Sequence, residues 1–268
     1  MNRREWWKTF GAAAALPRTA RGAVNALQAH VVRLKLRHTW TTTMSSSEYR
    51  DTLHLRFTSN GVTGFGEGAP IVRYRESAET ALGAVESMRD LLTAANPWQF
   101  AKLNAEIFQH VKGEYAAKAA IDIALMDWVG KKLGVPLYRY FGLDRSATPV
   151  TTFTIGMDTP DVVRAKVREA EAFPILKVKV GLNTDEEMIA AVRSATDKPL
   201  RVDANEGWKD KEEAVRKINW LEKQGVEFVE QPMPASMISG APFSRRQVTR
   251  SFVQRGSVSR SIRTLGCS

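Results

Sequence analysis

Charged and amide side chains recur at the ends of apolar segments in the second half of the chain. Lys177 and Lys179 lie in the stretch ILKVKVG, Asp203 and Asn205 end the stretch LRVDAN, and Glu230 ends VEFVE. Side chains two residues apart on a strand point to the same side, so both ammonium groups face one side of the predicted strand. Two like charges among apolar residues are costly, which indicates that this side faces carboxylates, a cation or a substrate.

The two acids in this set are typical of a magnesium site. Asp203 and Glu230 are hard oxygen ligands without neighbouring His or Cys, which favours Mg²⁺ over Zn²⁺. Each alone is also typical of a solvated acid, but their equivalent placement on consecutive strands favours the metal. A lysine beside a second ammonium and a divalent cation has a lowered pKa and can act as a base near neutral pH. The alternative is that Lys177 and Lys179 extend into solvent from an edge strand.

These side chains need a parallel sheet to bring them together. From Pro149 onward, apolar stretches alternate with amphipathic ones, which predicts four strands and three helices in βα order. Ligands bind beyond the carboxyl ends of such strands, so the lysines and acids are expected to converge there. The predicted strands begin at 150, 175, 200 and 226, and the predicted helices span 159–172, 184–195 and 210–224.

The first half predicts a separate α+β unit that ends near Leu143. Alternating patterns and the turn signal SNG predict an antiparallel meander, and 3.6-residue periodicity follows it. Gly134 and Pro136 are expected to end the last helix. The predicted strands are 30–37, 51–58 and 62–70, and the helical stretches are 76–95, 99–111 and 116–142.

Composition narrows the classes of function. The 268 residues suffice for one large or two ordinary domains, and the formal net charge is +10. The excess positive charge lies in 1–21 and 235–268, whereas 22–234 is neutral, so we expect no nucleic-acid partner. Cys267 is the single cysteine, which excludes an internal disulfide. No apolar stretch reaches 18 residues, so no membrane association is expected.

The N-terminus has the organisation of an export signal. Arg3 and Arg4 precede a weakly apolar stretch from Phe10 to Leu16 and then small residues. This order resembles a bacterial twin-arginine signal over residues 1–22 and predicts a periplasmic or exported protein. The alternative is an ordinary amphipathic N-terminus on a cytoplasmic protein.

Five stretches together resemble the enolase superfamily, in its muconate-lactonizing and mandelate-racemase-like branch. They occur in one order across about 30–234, and they are most similar to those of L-Ala-D/L-Glu dipeptide epimerases. The resemblance implies an α+β capping domain over 30–145, followed by a TIM-like (β/α) barrel of which 150–234 supplies about four strands. The stretches are GFGEGAP (64–70), KAAIDIALMDWVGKKLGVPLYRYFG (118–142), LKVKVG (176–181), RVDANEGW (201–208) and EQPMP (230–234).

The resemblance also implies roles for individual residues. Lys179 would be the base for one face of the substrate α-carbon, and Lys177 would tune it and touch the substrate carboxylate. Thr154 would bind substrate. The loop near Arg37–Tyr49 would close over the dipeptide.

The implied cofactor is Mg²⁺, with Asp203 and Glu230 as the first two ligands and Asn205 supporting them. Removal of the weakly acidic α-proton would give an enediolate whose charge the cation stabilises, and return of a proton on the other face would invert the centre. A muconate cycloisomerase or an o-succinylbenzoate synthase-like lyase would use the same lysines and acids, so this alternative stays open.

The tail at 235–268 departs from the family pattern. It is rich in Arg and Ser, contains no acid and no lysine, and shows no sustained periodicity. The third metal ligand and the opposing lysine of the pattern are therefore not found there. We expect a shifted or interrupted reading frame, which predicts a truncated, weakly active or inactive enzyme. Such an enzyme is expected to be poorly stable, to aggregate, or to be rescued by self-association as a homo-oligomer. The alternative is a natural extension on a non-catalytic protein that binds an acidic partner.

Overall fold

The computed structural model describes residues 25–238, which form two compact units. The first unit contains the residues up to Leu34 and Asp51–Arg145, and the second contains Lys35–Arg50 and the residues from Ser146 onward. The predicted export signal at 1–22 lies outside the described residues, as does the predicted aberrant tail beyond residue 238, and both stay predictions. None of the helices between residues 25 and 238 combines the length and hydropathy of a membrane span.

The first unit is an α+β structure built on a three-stranded sheet in the order β1-β2-β3, with β2 antiparallel to β3. The first two strands are longer than predicted, and β2 begins with the polar residues SSEYR (46–50), which lack the apolar alternation that marks a strand. The elements are β1 (Ala26–Thr41), β2 (Ser46–Ser59), β3 (Val62–Gly68), α1 (Ala78–Ser87), α2 (Arg89–Ala94), α3 (Phe100–His110), α4 (Tyr115–Leu133) and α5 (Leu137–Tyr140).

Two helix boundaries show how local backbone conformation divides the predicted helices. The stretch predicted as one helix over 76–95 is two helices, because Met88 adopts φ −102° and ψ 8° between them. The long helix α4 ends at Leu133, where Gly134 takes the left-handed conformation at φ 65° and donates its backbone N–H to the last turn. The predicted stop at Gly134 is confirmed.

Close packing of β3 against α4 explains the glycines of the motif GFGEG. Three glycines alternate along β3 on the face that meets α4, and a side chain at any of them would collide with the helix backbone. A Cβ on Gly66 would lie 1.9 Å from the carbonyl oxygen of Ala120. Alanines spaced four residues apart line the facing stripe of α4, so helix and strand approach closely. The contacting pairs are Gly64 with Ala124, Gly66 with Ala120 and Gly68 with Ala116.

The second unit is a parallel βα structure, as predicted. Its four strands lie in the order β4-β5-β6-β7, and helices connect them. Together with the first unit, this confirms a capping α+β fold followed by part of a TIM-like barrel. The elements are β4 (Thr152–Ile155), α6 (Pro160–Glu169), β5 (Ile175–Lys179), α7 (Asp185–Arg193), β6 (Leu200–Asp203), α8 (Lys211–Lys223), β7 (Val226–Glu230) and the short α9 (Ala235–Ile238).

The two faces of this sheet differ in chemistry. One face carries fully buried aliphatic side chains that share a core with the helices, among them Leu176, Val178 and Val202 at 0% exposure. The opposite face carries the alternate residues, including Lys177 and Lys179. The period of two in ILKVKVG therefore separates a hydrophobic face from a polar one.

Candidate active site

Strand register places three predicted site residues side by side at the carboxyl ends of neighbouring strands. Lys179 on β5 is paired with Asp203 on β6, and Asp203 is paired with Glu230 on β7. Lys177 lies two residues earlier on the same face of β5, opposite Thr154 on β4. The sheet thus brings the predicted lysines, acids and threonine to one face of the second unit.

The lysines and carboxylates form a continuous ion-paired network. Lys177 Nζ lies 2.9 Å from Asp203 Oδ2 and 2.7 Å from Glu230 Oε2. Lys179 Nζ lies 2.7 Å from the same Asp203 oxygen. The Asp203 carboxylate therefore contacts two ammonium groups at once, and Asp203 is only 1% exposed. The two lysines are tolerated in an apolar strand because each has a carboxylate partner.

Asn205 completes the polar environment of Lys179. Its side-chain Oδ1 accepts a hydrogen bond from Lys179 Nζ at 2.9 Å, and its backbone N–H donates to Asp203 Oδ1 at 2.9 Å. Its Nδ2 donates to Gln231 Oε1 at 3.3 Å. Thr43, in the hairpin segment of the second unit, donates its hydroxyl to the Asn205 carbonyl at 2.9 Å.

The loops that follow β6 and β7 hold an unusual backbone conformation. Asn205, Glu206 and Gln231 have φ values of 44°, 62° and 45°. Left-handed conformations at residues other than glycine cost about 1–3 kcal/mol each and cluster at functional sites. The Glu206 N–H donates to the Gln231 carbonyl at 2.7 Å, which ties the two loops together.

The ion-paired network changes the pKa values of Lys177 and Asp203. Burial is the largest influence on Lys177 and favours the neutral amine, but hydrogen bonds to Glu230 and Asp203 outweigh it and raise the pKa of Lys177. Burial is also the largest influence on Asp203, yet hydrogen bonds from Lys179 and Lys177 lower the pKa of this carboxyl. The sequence-based expectation of a lowered lysine pKa assumed a divalent cation as neighbour. With carboxylates as the neighbours, the pKa of Lys177 moves in the opposite direction.

The two carboxylates fit a divalent cation in chemistry and in placement. Asp203 Oδ2 and Glu230 Oε2 both lie within 2.9 Å of the Lys177 ammonium, so their oxygens already converge on one positive charge. Hard carboxylate oxygens are the ligands that Mg²⁺ uses. Between residues 25 and 238, no group of three or more His, Cys, Asp or Glu side chains is placed to hold a metal ion. Asp203 and Glu230 are thus two carboxylates whose oxygens meet at this strand end, one fewer than such a group requires.

Sequence reasoning missed several residues that shape this region. Asp185 follows a turn signal and begins an acidic run, a pattern typical of solvated acids in the first turn of a helix. In the structure, Asp185 is 2% exposed and accepts hydrogen bonds from Trp208 and Lys217. Thr43 was expected only as part of the loop near Arg37–Tyr49. Nothing in the local pattern connects these residues, because their contacts join distant parts of the chain.

Comparisons with known proteins identify both units. The N-terminal domain of the mandelate racemase / muconate lactonizing enzyme family matches residues 25–142, and the enolase C-terminal domain-like family matches residues 161–250. The L-Ala-D/L-Glu epimerase of Bacteroides thetaiotaomicron is 42% identical over 215 residues, which cover 80% of this chain and 56% of that protein. The L-Ala-D/L-amino acid epimerase of Pedosphaera parvula is 40% identical over 212 residues, covering 75% of this chain and 60% of that protein.

A solved structure is similar in fold. The dipeptide epimerase of Enterococcus faecalis V583, in complex with Mg and the dipeptide L-Leu-L-Tyr, is similar at a TM-score of 0.73 and 30% identity, covering 84% of this chain and 64% of that one. The chain spans somewhat more than half the length of the curated relatives that it matches. The predicted likeness to L-Ala-D/L-Glu epimerases is confirmed, and the chain belongs to the mandelate racemase/muconate lactonizing enzyme family of the enolase superfamily.

Proposed function

We propose that this chain carries the Mg²⁺-dependent α-proton chemistry of a dipeptide epimerase acting on dipeptides of the L-Ala-D/L-Glu type. The observation that supports it most is the Lys179–Asp203–Lys177–Glu230 network at the carboxyl ends of three adjacent strands. The names of the relatives point to the same chemistry.

Lys179 is the proposed base. The residue is 8% exposed, and its ammonium is held between Asp203 and Asn205 at 2.7 and 2.9 Å, so its position at the strand end is fixed. A fixed amine can take a proton from the α-carbon of a substrate placed beyond the strand ends. In its neutral form, Lys179 would accept the α-proton onto Nζ and leave an enediolate on the substrate.

Asp203 and Glu230 would hold Mg²⁺, and Lys177 would stand beside them as a further positive group. Bound Mg²⁺ supplies positive charge next to the substrate carboxylate, where negative charge develops as the α-proton leaves. The Lys177 ammonium lies beside both proposed ligands, so it is placed to hydrogen-bond a substrate carboxylate. Thr154, opposite Lys177 in the register, is placed to contact the same substrate.

The described residues supply a base for one face of the substrate. Inversion needs a second proton donor on the opposite face, and between residues 25 and 238 this face of the sheet carries the lysine pair on β5 alone. We therefore expect the chain to exchange the α-proton of one epimer with solvent and to show little or no net epimerisation.

Proton exchange in D₂O tests the proposal directly. The purified chain, supplied with Mg²⁺, is incubated separately with L-Ala-L-Glu, L-Ala-D-Glu and L-Leu-L-Tyr, and loss of each α-proton signal is followed by ¹H NMR. We expect exchange with one Ala-Glu epimer, abolished by Lys179→Ala and by removal of Mg²⁺ with a chelator. Faster exchange of L-Leu-L-Tyr would change the substrate class from Glu-containing to hydrophobic dipeptides.

Lys198→Ala is the matched control, because Lys198 is a half-buried lysine of the same unit whose ammonium bonds backbone carbonyls away from the site. It should retain the exchange rate. Absence of exchange of any dipeptide by a folded, Mg²⁺-loaded chain would refute the proposal. Exchange that survives Lys179→Ala would refute the assignment of the base.

A further inference from the structure

A buried carboxylate lies at the start of α7, outside the ion-paired network. Asp185 is 2% exposed. Its Oδ1 accepts the backbone N–H of Gly181 at 2.7 Å. Its Oδ2 accepts the indole N–H of Trp208 at 2.8 Å and a proton of Lys217 Nζ at 2.5 Å. One side chain thus satisfies three donors.

The three donors belong to three different segments. Gly181 is in the loop after β5, Trp208 is in the loop after β6, and Lys217 is on α8. The two loops also touch directly, since a Cβ on Gly181 would lie 2.4 Å from the carbonyl oxygen of Ala204. Asp185 therefore fixes the distance between two loops that are in van der Waals contact.

One of these loops follows the strand that ends in the proposed base, and the other contains its partner Asn205. Gly181 follows Lys179 by two residues, and Trp208 follows Asn205 by three. The hydrogen bond from Lys179 Nζ to Asn205 Oδ1 at 2.9 Å joins the end of β5 to the loop after β6. Because Asn205 is held in a left-handed conformation at φ 44°, it depends on its surroundings to stay in place.

The charge of the Asp185 carboxylate is paired with the ammonium of Lys217 on α8. Lys217 has a side chain that is 15% exposed and also contacts Glu213 Oε1 at 3.2 Å. The carboxylate of Asp185 thus accepts three hydrogen bonds from the protein and has a countercharge in contact. This arrangement suits a structural tether rather than an acid or base.

We propose that Asp185 is a positioning residue, which acts through Gly181 and Trp208 to keep Lys179 and Asn205 in contact. Its importance for catalysis rests on the proposed function, whereas its effect on the position of Asn205 does not. Substitution of a residue that orients a catalytic group without touching the substrate changes the reaction rate by about 10- to 100-fold.

Two measurements on Asp185→Asn separate the effect on the position of Asn205 from the effect on catalysis. The variant keeps the size of the side chain and one oxygen acceptor, but it loses the acceptor shared by Trp208 and Lys217. At one fixed pH, ¹H–¹⁵N spectra of the full chain report the indole signal of Trp208 and the side-chain amide signal of Asn205. We expect both signals to shift, and the α-proton exchange rate at saturating dipeptide to fall about 10- to 100-fold, with a smaller change in KM.

Two further variants keep the test informative. Asp158→Asn removes a carboxylate from another ion pair of the same unit, Lys166 Nζ to Asp158 Oδ2 at 2.9 Å, and should leave the Asn205 signal and the rate unchanged. Trp208→Phe keeps an aromatic ring and the Asp185–Lys217 pair but removes the indole donor, so it replaces Asp185→Asn if that variant does not fold. It should move the Asn205 signal as well.

An Asn205 signal that stays in place in both Asp185→Asn and Trp208→Phe, or that moves equally in Asp158→Asn, would overturn the positioning role. A wild-type chain without any proton exchange counts against the proposed function alone, because the Asn205 signal is read without substrate. A shifted Asn205 signal with an unchanged exchange rate would show that the tether exists but does not position the base, which also overturns the proposal.

Discussion

Asp203→Asn should destabilise the protein far more than Glu230→Gln, although both substitutions remove a carboxylate from the same ion-paired network. Asp203 is 1% exposed and contacts both lysines. The side chain of Glu230 is 44% exposed and contacts only Lys177. The comparison therefore separates burial from the number of ion pairs.

The magnitude follows from which ammonium loses its partner. In Asp203→Asn, Lys177 keeps Glu230 at 2.7 Å, but Lys179, whose side chain is 11% exposed, loses its carboxylate partner and keeps only neutral amide oxygens such as that of Asn205. Removing one partner of a buried pair costs about 3–5 kcal/mol, whereas an exposed pair contributes about 0–1 kcal/mol. For a protein of this size, Asp203→Asn should lower Tm by about 6–20 °C, and Glu230→Gln should lower it by less than about 4 °C.

Urea unfolding and thermal melts of the wild type, both single variants and Asp203→Asn/Lys179→Met measure these differences. Met fills most of the lysine volume without a charge, so adding it to Asp203→Asn removes the stranded ammonium. If the unpaired charge causes the loss, the double variant is more stable than Asp203→Asn. Equal losses in the two single variants, or a double variant that is less stable still, would refute the reasoning.

Three further predictions concern the backbone conformation of two glycines, the pH dependence of one ion pair and the affinity for Mg²⁺. Gly181→Ala should lose at least about 1–3 kcal/mol in urea melts, because φ is 111° there and a Cβ would lie 2.4 Å from the Ala204 carbonyl oxygen, whereas Gly83→Ala, in α1 with open space around it, should gain about 0.5–1 kcal/mol. Burial opposes ionisation of Asp158, but the hydrogen bond from Lys166 outweighs it and lowers the pKa of Asp158. The stability that this pair contributes is present above about pH 4 and lost as pH falls through the lowered pKa, so pH-dependent melts of wild type and Asp158→Asn should converge in acid. Lys177→Met removes the ammonium that contacts both proposed metal ligands, so calorimetry should show tighter Mg²⁺ binding; weaker binding would contradict that competition.

The row of site residues could be predicted from sequence because two rules act together. Period-two alternation places Lys177 and Lys179 on one face, and the parallel arrangement aligns the ends of consecutive strands. The observed pairing of Lys179 with Asp203 and of Asp203 with Glu230 follows from these rules. Element boundaries were predicted less well, since the break at Met88 falls at a residue that favours helices and carries no breaker signal.

The support behind the site could not be predicted, because it depends on contacts between distant residues. Asp185 bonds Trp208 and Lys217, which are 23 and 32 residues away. Within the sequence, Asp185 opens an acidic first helical turn, and Lys217 lies four residues after Glu213 on an amphipathic helix, so each has an ordinary surface explanation. Only the packing of α7 and α8 on the sheet buries them together.

Charge within the site links its folding role to its proposed chemistry. Two ammonium groups face two carboxylates, so the network is neutral and can sit on a sheet whose other face is wholly apolar. If Asp203 and Glu230 turn their oxygens to a divalent cation, the lysines lose part of that compensation, and the charged form of a lysine becomes less favourable. A neutral amine at this position is what proton abstraction requires. The carboxylates that pair with the lysines in an apolar strand are therefore the same groups whose binding to a cation would favour a neutral amine.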